Sequence, residues 1–176
     1  IGWPKSATFR TADLVGLDVL AHVVRNIYDN SPEDESRELY RVPALLEELI
    51  RRGSLGEKSG KGFYQRVKGA GEKEILTLDP ATMEYRSKQR ARIASLEMGR
   101  SIEDTPSRLR ALLGPVMAGQ PGDKAQQFIW RALSEMCAYA ARRVPEISDS
   151  VADVDRAMCW GFGWELGPFE LWDTLG

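Results

Sequence analysis

Histidine is almost missing from this sequence: 176 residues carry a single one, His22. Cysteine is scarce as well, limited to Cys137 and Cys159. Two cysteines cannot build the disulfide framework of a small secreted domain, so both are expected as reduced thiols in the core of an intracellular protein. No group of His, Cys, Asp and Glu has metal-ligand spacing. Neither sign of charge is in excess, because 24 Lys+Arg stand against 26 Asp+Glu. A general nucleic-acid binder carries a basic surplus, so nucleic acid is not the expected partner. No uncharged apolar run approaches the ~20 residues that a membrane span needs. The opening "IGWPKSATFR" is polar and turn-like, unlike a signal peptide.

What is present is ordinary for a soluble globular protein, at 43% hydrophobic and 28% charged residues. The chain is long enough for one domain or two small ones. It starts on Ile1-Gly2-Trp3 rather than Met, and reads as a piece of a longer cytoplasmic protein.

Apolar spacing predicts a mainly α fold. "FRTADLVGLDVLAHVVRNIYDN" (9–30) gives a short helix, a break at Gly16 and a longer helix whose N-terminal end suits Asp18. "VPALLEELIRRGS" (42–54) is a helix with Pro43 in its first turn and Gly53 as its stop. The stretch 68–73 reads as a flexible link. "ILTLDPATMEYR" (75–86) supports at most a short β-hairpin around Asp79-Pro80. Polar helices are expected over 88–99 and 105–113, with a loop over 114–122. Asp123 caps a long helix over 124–143, its inner face set by Phe128, Ala132, Met136 and Tyr139 or Ala140. Pro145 is expected to end it, and Asp149 to open another helix through Met158.

The end of the chain echoes its beginning. Phe9, Asp13 and Gly16 recur as Phe169, Asp173 and Gly176, at a constant offset of 160 residues, and Gly2-Trp3 answers Gly163-Trp164. The glycines suit tight helix-to-helix turns, each Phe suits a core anchor, and each Asp can accept backbone N–H groups of the following helix. The closing glycines are not a dinucleotide cradle. They run Gly161-x-Gly163-x-x-x-Gly167, Pro168 follows at once, and the segment before them is helical rather than a strand. Gly56 to Gly62 likewise misses the phosphate-loop spacing.

"VDRAMCWGFGWELGPFELWDTLG" is similar to the C-terminal helical domain of the 3-hydroxyacyl-CoA dehydrogenases, with its Asp-x-Ala-Met, Gly-Pro-Phe-x-Leu-x-Asp and terminal Gly. "VGLDVLAHVVRNIYDN" and "VPALLEELIRRGSLGEKSGKGFYQR" resemble the next parts of that domain, in the same order. The resemblance implies a 6-phosphogluconate-dehydrogenase-C-terminal-like helical domain in two degenerate copies, as in multifunctional fatty-acid β-oxidation proteins. The first copy covers 1–66, truncated at its start. A linker or insert covers 67–123, and the second copy covers 124–176, truncated at its end.

By the same resemblance, hydride passes from the 3-hydroxyl of an acyl-CoA to NAD, and no catalytic or cofactor-binding residue lies in this chain. The implied partners are a Rossmann NAD domain, the acyl-CoA substrate, an enoyl-CoA hydratase domain in the same chain and further copies of the chain. In the second copy Trp130 stands where the family has a substrate-holding Asn. An indole N–H only donates, so this copy is expected to be structural. Ala7-Thr8, after Lys5-Ser6, replaces the Gly-Pro found at Gly167-Pro168.

Trp3 and Pro4 are the candidate substrate-binding residues, set to face the acyl chain. The bland readings stand beside these. His22, four residues from Asp18, suits a pairing role rather than that of a general base. Lys58 and Lys61 suit a solvated turn better than CoA phosphates. Trp160, Trp164 and Trp172 suit packing. Two rivals remain at this stage: an autonomous helical interaction module, and a related NAD-dependent enzyme such as a 3-hydroxybutyryl-CoA or hydroxy-acid dehydrogenase.

Overall fold

The computed structural model describes residues 1–4, 7–68, 73–89 and 91–176. The flexible link expected at 68–73 falls largely outside them, as does the altered Lys5-Ser6 pair. The chain forms two compact units: Ser6–Arg90, and Ile1–Lys5 together with Ala91–Gly176.

The Ser6–Arg90 unit begins with helices α1 (Thr8–Val15) and α2 (Leu17–Asn30). Between them Gly16 adopts φ +103°, a conformation open to glycine, and its N–H closes α1 on the Ala12 carbonyl. Helix α3 (Ala44–Arg51) follows a 3₁₀ turn at Arg37–Tyr40. Leu17, Ala21 and Leu49 are shut away from solvent, with Ala12, Leu46 and Leu78 beside them. Strands β1 (Tyr64–Lys68), β2 (Lys73–Asp79) and β3 (Glu84–Ser87) form one antiparallel sheet in the order β1-β2-β3. The expected hairpin is there as β2 and β3, paired from Leu76–Ser87 to Asp79–Glu84. It is extended by β1, whose Tyr64 sits opposite Thr77. The glycines at 56, 60 and 62, just ahead of Tyr64, concealed that third strand.

The other unit is all helical: α4 (Ala94–Arg100), α5 (Thr105–Met117), α6 (Lys124–Ile147), α7 (Val151–Phe162) and α8 (Pro168–Leu175). Leu109, Leu113 and Leu133 have no exposed surface, and Leu112, Cys137 and Leu171 complete the core. Asp123 caps α6 as expected, accepting from the Ala125 and Gln126 N–H groups while the Gln126 side chain accepts from the Asp123 N–H. The buried residues of α6 are Gln126, Leu133, Cys137 and Ala140; of the expected stripe Ala140 is buried and Met136 packs against the core, while Phe128 is 72% exposed. Helix α5 runs on through Pro115, and α6 runs through Pro145 to Ile147. Packing of each long helix outweighs the one backbone hydrogen bond that proline removes.

These borders place the expected insert 67–123 in both units. It supplies β2 and β3 to one, and α4 and α5 to the other. Ile1–Pro4, expected to open the first copy, belong with the helical unit.

Candidate functional site

Trp3 and Pro4 lie against the turn between α7 and α8. The Trp3 ring stacks on Trp164 with centroids 4.8 Å apart and planes inclined by 22°. The opening is fixed there by backbone and side chain together. Glu165 N–H donates to the Gly2 carbonyl at 2.8 Å, and Thr105 Oγ1 donates to Glu165 Oε2. Arg108 in turn donates to Thr105 Oγ1 and to the Ile102 and Glu103 carbonyls. Trp3 keeps 38% of its surface exposed, and Pro4 is exposed. The result is a rigid, half-open aromatic step that can take an aliphatic chain by apolar contact.

Two buried carboxylates organise the glycine-rich turns by the same device. In the Ser6–Arg90 unit Asp13, 2% exposed, accepts from Phe63 N–H at 2.8 Å through Oδ1 and from Tyr64 N–H at 2.9 Å through Oδ2. A Cβ on Gly62 would fall 2.1 Å from Asp13 Oδ1, so only glycine fits. In the helical unit Asp155, 7% exposed, accepts from Phe169 N–H at 2.8 Å and Glu170 N–H at 3.1 Å. There a Cβ on Gly167 would fall 2.3 Å from Asp155 Oδ1. Each clamp ties a glycine–aromatic segment to a helix by two charge-assisted bonds. Burial pushes Asp155 above the usual carboxylate range. The two amide bonds oppose that rise, and the charges of Glu170 and Asp173 add to it.

The two ends of the echo share helix length and a glycine stop but differ in environment. Helices α1 and α8 have eight residues each and end on Gly16 and Gly176, at φ +103° and +101°. Yet Asp13 bonds amides fifty residues on, not those of the next helix. Asp173 is exposed, Phe9 is 55% exposed, and it is Asp155 that caps α8. Asp155 was visible in the sequence only as the Asp of the Asp-x-Ala-Met stretch, and its role was not, because its partner amides lie beyond the intervening turn.

The remaining candidates are structural. His22 is exposed on α2, and Asp18 is held by Lys58 instead, at 2.6 and 2.7 Å. Lys58 is solvent-exposed at the glycine turn, as expected, with its charge engaged in that ion pair. Trp130 packs against the helical core. The Cys137 thiol donates to the Pro168 carbonyl, and burial pushes it up to about 11. Among the described residues no three His, Cys, Asp or Glu gather to hold a metal ion, and no helix is long and apolar enough to cross a membrane. A dinucleotide does not fit the closing turn: helix α7 leads into it, and the Asp155 carboxylate fills the space beside Gly167 where a phosphate would approach.

Residues 1–66 match the family model of the 3-hydroxyacyl-CoA dehydrogenase C-terminal domain. All of the chain aligns at 42% identity with 21% of a Bacillus subtilis (strain 168) protein named "Probable 3-hydroxyacyl-CoA dehydrogenase". At 26% identity, 99% of the chain aligns with 20% of the "Fatty acid oxidation complex subunit alpha" of Idiomarina loihiensis. The crystal structure of 3-hydroxybutyryl-CoA dehydrogenase from Escherichia coli K12 shares the fold at a TM-score of 0.53 and 18% identity, over 96% of this chain and 44% of that one. Fold and turn motifs together define a mainly α dehydrogenase C-terminal domain. The chain belongs to the 3-hydroxyacyl-CoA dehydrogenase family. It spans about a fifth of the length of the relatives named.

Proposed function

We propose that the chain is the substrate-covering and interdomain or dimerisation part of an NAD-dependent 3-hydroxyacyl-CoA dehydrogenase of cytoplasmic fatty-acid β-oxidation. The observation that carries the reading is the alignment of all 176 residues, at 42% identity, with a protein of that name. The two-copy organisation, 1–66 and 124–176 around an insert, belongs to the same reading. It is supported by the matched helices α1 and α8 and their glycine stops.

In this reading the hydride transfer and the proton removal belong to residues outside 1–176. NAD sits on a Rossmann domain, which is the chain's first partner, and an enoyl-CoA hydratase domain and further copies are the others. What these residues do is bind and exclude water. The Trp3–Trp164 step and Pro4 take the apolar acyl chain of the acyl-CoA, and the Asp155 clamp in the same unit holds the start of α8 beside that turn.

NADH formation tests this. An enzyme that includes these residues together with a Rossmann domain oxidises a 3-hydroxyacyl-CoA with NAD, and the 176-residue chain alone does not. Turnover by the chain alone, or none by the larger enzyme, overturns the reading.

A further inference from the structure

One face of the three-stranded sheet is closed and the other is open. Leu78 and Tyr85, paired across β2 and β3, pack into the core of the Ser6–Arg90 unit. The pairs Tyr64–Thr77 and Arg66–Ile75 stand on the opposite face, two residues apart along each strand. All four line a cavity of ≈ 430 Å³ in the same unit, joined by Lys88 just past β3 and by Arg10 on α1. Three cations meet two carboxylates there, Asp13 and Glu57. Asp13 spends both oxygens on the Phe63 and Tyr64 amides. Glu57 sets one oxygen, Oε1, between Arg10 and Arg66 and pairs with both. Each guanidinium has several N–H donors, so most of those on this pair stay open. Lys88 and the Tyr64 and Thr77 hydroxyls make no side-chain hydrogen bond or ion pair among the described residues. Ile75, 53% exposed, and the Tyr64 ring give the cavity an apolar side.

We propose that this cavity binds a phosphate monoester, with Arg10, Arg66 and Lys88 on the phosphate and with Ile75 and Tyr64 against its organic body. Glu57 Oε1 marks the place of one ligand oxygen, because an oxyanion that displaces it keeps both guanidinium partners. The Glu57 side chain is 35% exposed and turns into water when displaced. A monoester then offers two further oxygens to Lys88 and the two hydroxyls, and carries a charge of about −1.5 to −2 at neutral pH. A carboxylate offers one further oxygen and about half that charge, so it is the poorer match. The monoester belongs either to a free nucleotide or to the 3′-phosphate of coenzyme A, and the same three cations would hold both.

The test titrates the isotope-labelled chain with inorganic phosphate, adenosine 5′-monophosphate, coenzyme A and dephospho-coenzyme A, at about 0.15 M salt to screen non-specific attraction. The amides of Tyr64, Arg66 and Thr77 are expected to shift and saturate with inorganic phosphate, and at lower concentration with adenosine 5′-monophosphate. Coenzyme A binding more tightly than the nucleotide assigns the site to the coenzyme, and weaker binding assigns it to a free nucleotide. Arg66→Gln and Lys88→Gln, both at exposed positions, are each expected to weaken binding at least fivefold, and Glu57→Gln to strengthen it several-fold. Lys124→Gln, which removes the same charge from α6, is expected to change nothing. Absent or unsaturable shifts overturn the proposal, as does an equal response to acetate. So does dephospho-coenzyme A binding as tightly as the nucleotide, or an equal loss in Lys124→Gln, which would reduce the effect to general attraction. NADH formation by the larger enzyme is measured separately, so failure here leaves the dehydrogenase reading standing.

Discussion

Trp3 stacks on Trp164 at 4.8 Å, so the two members of the Gly-Trp echo seen in the sequence pack directly against each other. The stack links the opening residues to the turn that presents α8, and its exposed edge is the candidate acyl contact.

Trp3→Ala is expected to lower the stability of the helical unit by roughly 1–2 kcal/mol, from lost ring contact and lost apolar burial. Urea unfolding followed at α7–α8 amides measures it. In the larger dehydrogenase the same change is expected to raise KM for long acyl chains several-fold and to leave kcat nearly unchanged. An unchanged KM together with intact stability would show that the stack touches neither substrate nor core.

The Asp13 clamp gives a second expectation. Asp13→Ala orphans two amides that the carboxylate now holds, at roughly 3 kcal/mol for a pair of charge-assisted bonds. Gly62→Ala places a methyl 2.1 Å from the same oxygen and is expected to open the clamp by a different route. Both variants should therefore lose hydrogen-exchange protection at Phe63 and Tyr64. Retained protection in either one means that the turn is held by something else, such as the Tyr85 hydroxyl, which donates to the Gly62 carbonyl at 2.6 Å.

Local chemistry made part of this legible in the sequence. Gly16 between two apolar repeats, Asp123 before Gln126, and Asp79-Pro80 between β-leaning runs each specify their element through nearby residues, and each element formed. What was not legible depended on distant partners. Strand β1 exists because β2 offers it an edge, and Asp13 reaches amides near residue 63. The inner face of α6 is chosen by α5 and α8, which select Leu133 and Cys137 over Phe128. Trp3 and Pro4 were reached through family resemblance alone, since nothing near them in the sequence announces the Trp164 ring.

That choice of face on α6 is open to direct measurement. Leu133 has no exposed surface, and Leu133→Ala is expected to cost about 2–5 kcal/mol through the cavity it leaves. Phe128→Ala, at a position 72% exposed, is expected to stay within about 0.5 kcal/mol. Thermal unfolding of the two variants decides the matter, and comparable losses would restore the Phe128 stripe as the buried face.

Two aspartates of the helical unit should respond to pH with opposite signs. Amide bonds from Gln126 and the Ser95 hydroxyl hold Asp123 below its usual value. Its stabilising contribution is complete above the unfolded Asp range, and is lost as pH falls through the lower folded value. Asp155 is raised, chiefly by burial. Between the unfolded and the folded value the native state then binds more protons than the unfolded one, so the Asp155 contribution declines as pH rises through that window. Subtracting the urea stability of Asp155→Asn from that of the unaltered chain isolates this contribution. The difference is expected to shrink as pH climbs from just below the ordinary carboxylate range to above it, and then to level off. Asp123→Asn, treated in the same way, is expected to give a difference that grows over the corresponding lower range. A flat or rising difference for Asp155 would mean that its two amide bonds outweigh burial, and that the clamp on α8 is strongest when fully ionised.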